Sequence, residues 1–106
     1  MIYHVRAKFR ENTAAEFLAK LTDGTIENQE PDGRELVASM SRAVVGKNGI
    51  IEWSELCYCA PPLAHERATV LDTHFDEIRV EPIDNHESYN GQAFMDYLRE
   101  MVQKKS

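Results

Sequence analysis

From residue 2 to residue 10 apolar and polar side chains alternate. Tyr3, Val5, Ala7 and Phe9 fall on one side and His4, Arg6, Lys8 and Arg10 on the other. A period of two with one apolar side predicts a half-buried strand. The period changes at Thr13-Ala14-Ala15-Glu16, which has the spacing of a capping box. Ala14, Phe17, Leu18 and Leu21 continue at helical spacing, and Gly24 is placed to stop the helix. Residues 25 to 33 form an acidic loop ending in a Pro31-Asp32-Gly33 turn. Leu36, Val37, Met40 and Val44 fit a helix as well as a strand. Residues 35 to 45 are read as a strand, because Gly46-Lys47-Asn48-Gly49 is a hairpin signal and a hairpin needs a strand before it.

Residues 50 to 59 carry bulky groups at odd and even positions alike: Ile50, Ile51, Trp53, Leu56, Cys57, Tyr58 and Cys59. That pattern predicts a strand covered on both faces. Pro61-Pro62 ends it and seats a helix whose apolar stripe is Ala64, Ala68, Leu71 and Phe75. Ile78, Val80 and Pro82 mark a last strand with Glu77, Arg79 and Glu81 pointing away, and the proline and outward charge suit a sheet edge. A polar connector, residues 84 to 90, leads to a terminal helix from about Gly91 to Gln103 with Phe94, Tyr97, Leu98, Met101 and Val102 on one face. The expected class is α+β: a ferredoxin-like βαββαβ antiparallel sheet, first and third strands central, with two helices on one face. That domain spans residues 1–83. Residues 84–106 supply the connector and an amphipathic helix packed on the same domain or on a partner subunit.

A chain of 106 residues suits one core. The net charge is −6 and no basic cluster exceeds Lys104-Lys105, which argues against nucleic acid or an anionic membrane as partner. No apolar run is long enough to span a bilayer, and Met1 leads straight into strand residues rather than a cleavable leader. Two cysteines make no disulfide framework. The expectation is a soluble cytoplasmic protein that uses neither a metal nor a cofactor.

The third strand implies a partner. Whichever way it faces, either Trp53 with Cys57 or Leu56 with Tyr58 lies on the open side of the sheet, and a wide apolar patch on a soluble monomer marks an interface. In element order, helix spacing and hairpin, residues 2 to 83 resemble the dimeric α/β-barrel superfamily, in which two ferredoxin-like sheets pack face to face. The resemblance implies a homodimer, onto which the terminal helix can swap.

Cys57-Tyr58-Cys59 places two thiols on one side of a strand, too far apart for a disulfide and without a second Cys/His pair at zinc spacing, so structural thiols are expected. His65 and His74 stand nine apart on the second helix and point to opposite sides, His74 at the core margin. His86 is expected to be solvated. Haem-degrading members of the dimeric barrel group resemble the pairing of Trp53 on a strand with His65 on the following helix. They also use an asparagine on the first strand, where this chain has His4, Arg6 and Lys8. Glu52 and Glu55 with Arg6 and His4 suggest either cross-strand ion pairs or an acid/base cluster, since burial moves a carboxylate and a histidine toward neutrality. There is no glycine-flanked nucleophile and no phosphate-cradling loop.

These residues predict a small dimer that binds or transforms a small organic molecule in a cleft between sheet and helices. Trp53, Cys57, Arg6 and His4 are its candidate binding residues, and His65 and Glu55 its candidate acid/base residues. The alternative is a non-catalytic regulatory or structural dimerisation module, and haem degradation is a minor third reading.

Overall fold

The computed structural model describes residues 1–104; the last two residues of the expected C-terminal unit, 105 and 106, lie outside the described residues. The fold is α+β. A five-stranded antiparallel sheet runs in the order β4-β1-β3-β2-β5, with β1 Ile2–Phe9, β2 Val44–Val45, β3 Ile50–Leu56, β4 Phe75–Ile83 and β5 Gln92–Ala93. β1 and β3 each pair on both sides, and β4 occupies one edge, as its proline and outward charges predict. The helices are α1 (Ala14–Thr22), α2 (Gly33–Arg42), α3 and α4 (Phe94–Lys104). Here α3 denotes residues 64–74, in which a π-helical turn, Arg67–Leu71, sits between Ala64–Glu66 and Asp72–His74.

The alternation in β1 places Val5 and Ala7 fully inside, opposite Trp53 and Ile51 of β3. These join Phe17 of α1, Leu36 and Met40 of α2, Leu71 of α3 and Leu98 of α4 in a single core. Phe9, Phe17, Phe75 and Phe94 pack together at its centre, with Phe9 and Phe94 edge to face at 5.3 Å. The apolar face of the terminal helix is thus turned onto the chain's own sheet.

Residues 35 to 45 depart from the strand reading. They are mostly helix: α2 occupies Gly33–Arg42 and buries Leu36, Ser39 and Met40 at helical spacing, leaving Val44–Val45 as the strand before the hairpin. Two residues suffice there, because β2 is held from its other side by β5, which no hydrophobic pattern announced. The Pro31-Asp32-Gly33 turn is the entry to that helix. Gly33 is buried against the loop, where a Cβ would clash with the Ile26 carbonyl oxygen. The capping box does not form either: a 3₁₀ turn, Glu11–Thr13, precedes α1, and Thr13 Oγ1 donates back to the Arg10 carbonyl at 2.7 Å. Gly24 does stop α1, with φ at +91°. Phe75 begins β4 instead of ending the helical stripe, and β3 stops at Leu56. The inward residues of α3, together with Leu63 just before it, are Leu63, Glu66, Val70, Leu71 and His74, so Ala68 faces solvent.

Gly33→Ala is expected to cost about 1–3 kcal/mol by overpacking the α2 entry against the loop. Urea denaturation checks this, and a midpoint equal to that of the unmodified chain would refute the close approach.

Candidate functional site

The register that buries Trp53 also buries Glu55, two residues along the same face of β3. A carboxylate there needs donors. Trp53 Nε1–H supplies one to Glu55 Oε1 at 2.7 Å. The other side chain at this point is Glu66 from α3, which is 1% exposed. If both carboxyls were ionised, Glu55 Oε2 and both Glu66 oxygens would have no donor. A proton on Glu66 turns it into a donor to Glu55 and leaves one Glu66 oxygen as the unpartnered atom of the pair. Burial, then the neighbouring Glu55 carboxyl, push Glu66 up to about 12. Burial also raises Glu55, against the opposing pull of the Glu66 and Trp53 hydrogen bonds. At neutral pH the pair therefore holds a proton, on Glu66.

Outside this pair, the end of β3 and the first turn of α2 frame a cleft of about 390 Å³ lined by Pro31, Asp32, Glu35, Leu56 and Cys57 to Cys59. Glu35 closes the sheet end: its carboxylate accepts the Leu56 N–H at 2.9 Å and a hydrogen bond from Arg42 at 3.3 Å. Asp32 holds His65, whose Nδ1 lies 3.0 Å from both carboxylate oxygens. Both cysteines are free. Cys57 Sγ accepts the N–H groups of Cys59 at 3.2 Å and Leu63 at 3.4 Å, yet burial dominates and raises its thiol. Cys59 is half-buried. Leu63 is held at φ +62° with its side chain fully buried, a conformation that costs a leucine energy and lets its N–H reach the thiol.

The candidate residues divide between the two faces of the sheet. Trp53, Cys57 and Glu55 are on the helix side; His4 and Arg6 are on the open side with Glu52. Cys57 lines the cleft, whereas Trp53 is wholly enclosed, in contact with Phe75, and His65 reaches the cleft through Asp32. On the open side His4 Nε2 donates to Glu52 Oε2 at 2.8 Å and stacks on Tyr89 at 4.5 Å. His86 is engaged by the sheet, its Nδ1 being 2.8 Å from Ser54 Oγ. The connector is therefore a strap laid over one end of the open face. Among the described residues no group of three or more His, Cys, Asp or Glu side chains is placed to hold a metal ion.

His74 lies in the core, away from its expected margin, stacked on Phe17 at 4.3 Å. Thr13 gives its proton to Arg10, so Thr13 Oγ1 accepts from His74 Nδ1–H at 2.9 Å, and Nε2 has no partner. Burial, then repulsion from Lys20, lower its pKa to about 4. Glu66 and His74 share one signal in the sequence: counted from Leu63 in place of Ala64, the stripe Leu63, Glu66, Val70, His74 keeps steps of three and four and carries both groups inside.

The two groups bend stability in opposite directions. Glu66 titrates at 4.5 in the unfolded chain and near 12 when folded, so the folded state keeps a proton the unfolded state releases, and stability falls as pH rises above 4.5. His74 titrates at 6.5 unfolded and near 4 folded, so the unfolded state takes a proton the folded state refuses, and stability falls as pH drops below 6.5. Between these values the two slopes oppose each other, and above pH 6.5 the Glu66 slope remains, in the same sense as that of the raised Glu55. Glu66→Gln is expected to flatten the decline between pH 7 and 9 by up to about 1.4 kcal/mol per pH unit. His74→Gln is expected to leave the Glu66 slope unopposed between pH 6.5 and 4.5, so that the variant gains stability as pH falls through that window while the unmodified chain does not. Urea melts across the range check both, and parallel curves for Glu66→Gln and the unmodified chain would sink the neutral-pair assignment.

Comparison of the chain with protein-family models, with curated proteins and with solved structures finds no match, so the chemistry of the site, not kinship, carries the functional reading.

Proposed function

We propose that this chain is a ferredoxin-like variant, its sheet extended by β5, that binds a small organic molecule in the cleft between the end of β3 and the start of α2. The observation that carries the reading is a mainly apolar cleft with two carboxylates, Asp32 and Glu35, in its wall and a protonated acid pair directly behind. Leu56, Tyr58 and the cysteines offer apolar contact, and the carboxylates select charge. The ligand class that fits is neutral or cationic, an apolar body with an amine or hydroxyl donor. His65 braces Asp32 from outside the cleft wall and fixes the carboxylate that would meet the ligand. Trp53 acts as the support for Glu55, a different role from the tryptophan of the haem-degrading resemblance.

A dimeric module is the second reading, favoured by one observation. Tyr58, 85% exposed, and Met1, 61% exposed, lie at the same end of β3 and β1, where the Cys57 N–H donates to the Met1 carbonyl at 2.9 Å. A second copy covering that end would bury both.

A matched pair of probes tests the binding reading. Benzylamine is expected to shift the backbone amides of Leu56 to Cys59 and of Asp32 to Glu35 in a saturable way, and benzoate to leave them in place. Asp32→Asn is expected to weaken the amine roughly tenfold, the loss of one charge-assisted contact. Shifts scattered away from the cleft, or equal binding of amine and acid there, would overturn it. Subunit mass across concentration, with Tyr58→Ser alongside, decides the second reading: a dimer lost in the variant supports it.

A further inference from the structure

The open face of the sheet carries a charge arrangement that the cleft does not explain. Arg6 of β1 and Arg79 of β4 are directly opposite each other in the ladder. Like charges in that position destabilise a sheet. The neighbouring cations are matched: His4 with Glu52 at 2.8 Å, Lys8 with Glu77 at 2.7 Å, and Arg10 with Asp76 at 2.7 Å. Among the described residues, neither Arg6 nor Arg79 has a carboxylate within 4.0 Å, although the chain as a whole carries a net charge of −6. Glu52 stands opposite Arg6 and Glu77 lines the same concavity, but these carboxylates are engaged by His4 and Lys8.

The backbone beside the pair is also unusual. Between Arg6 and Lys8 the ladder slips, with Glu77 and Ile78 standing opposite Ala7 alone. Glu77 takes φ +51°, a conformation that costs a residue with a side chain energy. A bulge bends the edge strand and re-aims side chains, and such features gather beside sites. Here it accompanies a concavity of about 350 Å³ lined by Arg6, Ala7, Lys8, Ile50, Glu77 and Arg79.

We propose that Arg6 and Arg79 form a binding site for the oxyanion group of a small organic molecule, a carboxylate or a phosphate monoester. Two planar guanidiniums offer paired N–H donors matched to the oxygen spacing of either group. The bound anion removes the repulsion between them, so occupancy stabilises the β1–β4 edge. Ile50 supplies apolar surface for a short organic body. The site is on the opposite face of the sheet from the cleft and does not depend on the cleft's ligand.

The test titrates the full chain with inorganic phosphate and, separately, with propionate, at constant ionic strength so that general screening stays fixed. The readout is the arginine Nε–H signals. Saturable shifts of Arg6 and Arg79 at millimolar probe are expected, with a rise in melting temperature. Tighter phosphate binding assigns a phosphate ester; tighter propionate binding assigns an organic carboxylate. Arg79→Gln and, independently, Arg6→Gln are each expected to weaken the preferred probe at least tenfold. Both positions are exposed, and without probe both variants are expected to melt no lower than the unmodified chain. No saturation by about 50 mM, or unchanged affinity in both variants, would overturn the site, since a bidentate pair binds far better than screening alone. So would a dimer that forms in the absence of probe, persists in phosphate and is lost in Arg79→Glu, because the face would then serve a second copy.

Discussion

The pairing of β1 against β3 is the constraint from which the rest follows. Val5 stands opposite Trp53 and Ala7 opposite Ile51, and together they define the side of the sheet that the helices must cover. A slip of one residue would turn His4, Arg6 and Glu52 inward and the core outward, so the register is held by every buried residue at once. The same rule acts without regard to chemistry. It carries Glu55 inside because Trp53 is inside, and it sets Arg6 outside because Val5 and Ala7 are not. Both unusual charge arrangements in the protein are thus consequences of one alternation.

Inside the sheet, the consequence is a buried acid that the fold must neutralise. Replacing Glu55 by an apolar side chain would remove the problem, and hydrophobic substitutes for buried ionic groups are often neutral or stabilising. The fold brings in a second carboxyl from α3 and one indole N–H, so that Glu55 has donors on both oxygens when Glu66 carries a proton. Perturbed groups that do not serve the core collect beside clefts, and this pair lies directly behind the Asp32 and Cys57 wall. His74 differs: it is enclosed by Phe17 and Thr13 and lines neither the cleft nor the open-face concavity, which makes it a packed core residue with a pH signature.

Much of the architecture was legible where a single physical signal dominated. The clean alternation of β1, the apolar spacing of α1 with Gly24 behind it, and the proline and charge of β4 were each read from one rule and stand in the structure. Residues 35 to 45 were misread because the hairpin argument assumed a strand of ordinary length. A two-residue strand between β3 and β5 meets the same need, and β5 owes its place to Val44 and Val45 rather than to any pattern of its own. The acid pair was half visible: Glu55 was singled out, but Glu66 was hidden, since a glutamate on a helix normally faces water. The arginine pair depends on which rows of two distant strands stand opposite, and no local window contains that.

Outside the sheet the strap of residues 84–91 shows how the open face is shared out. Tyr89 stacks on His4 and His86 engages Ser54, so the strap covers the half of the face over β3 and the start of β1. Burial and the Glu87 carboxylate that accepts its hydroxyl hold the Tyr89 phenol neutral. Arg6 marks the boundary, near enough to Tyr89 to act on its charge, while Arg79 on the edge strand lies in the uncovered half. A strap that went on to cover this half would have to bring acidic side chains to the two guanidiniums. The chain has them in Asp84 and Glu87, and places neither within 4.0 Å. The strap thus closes the face around His4 and Ser54 and stops short of the Arg6–Arg79 pair, whose repulsion is left to solvent or to a bound anion.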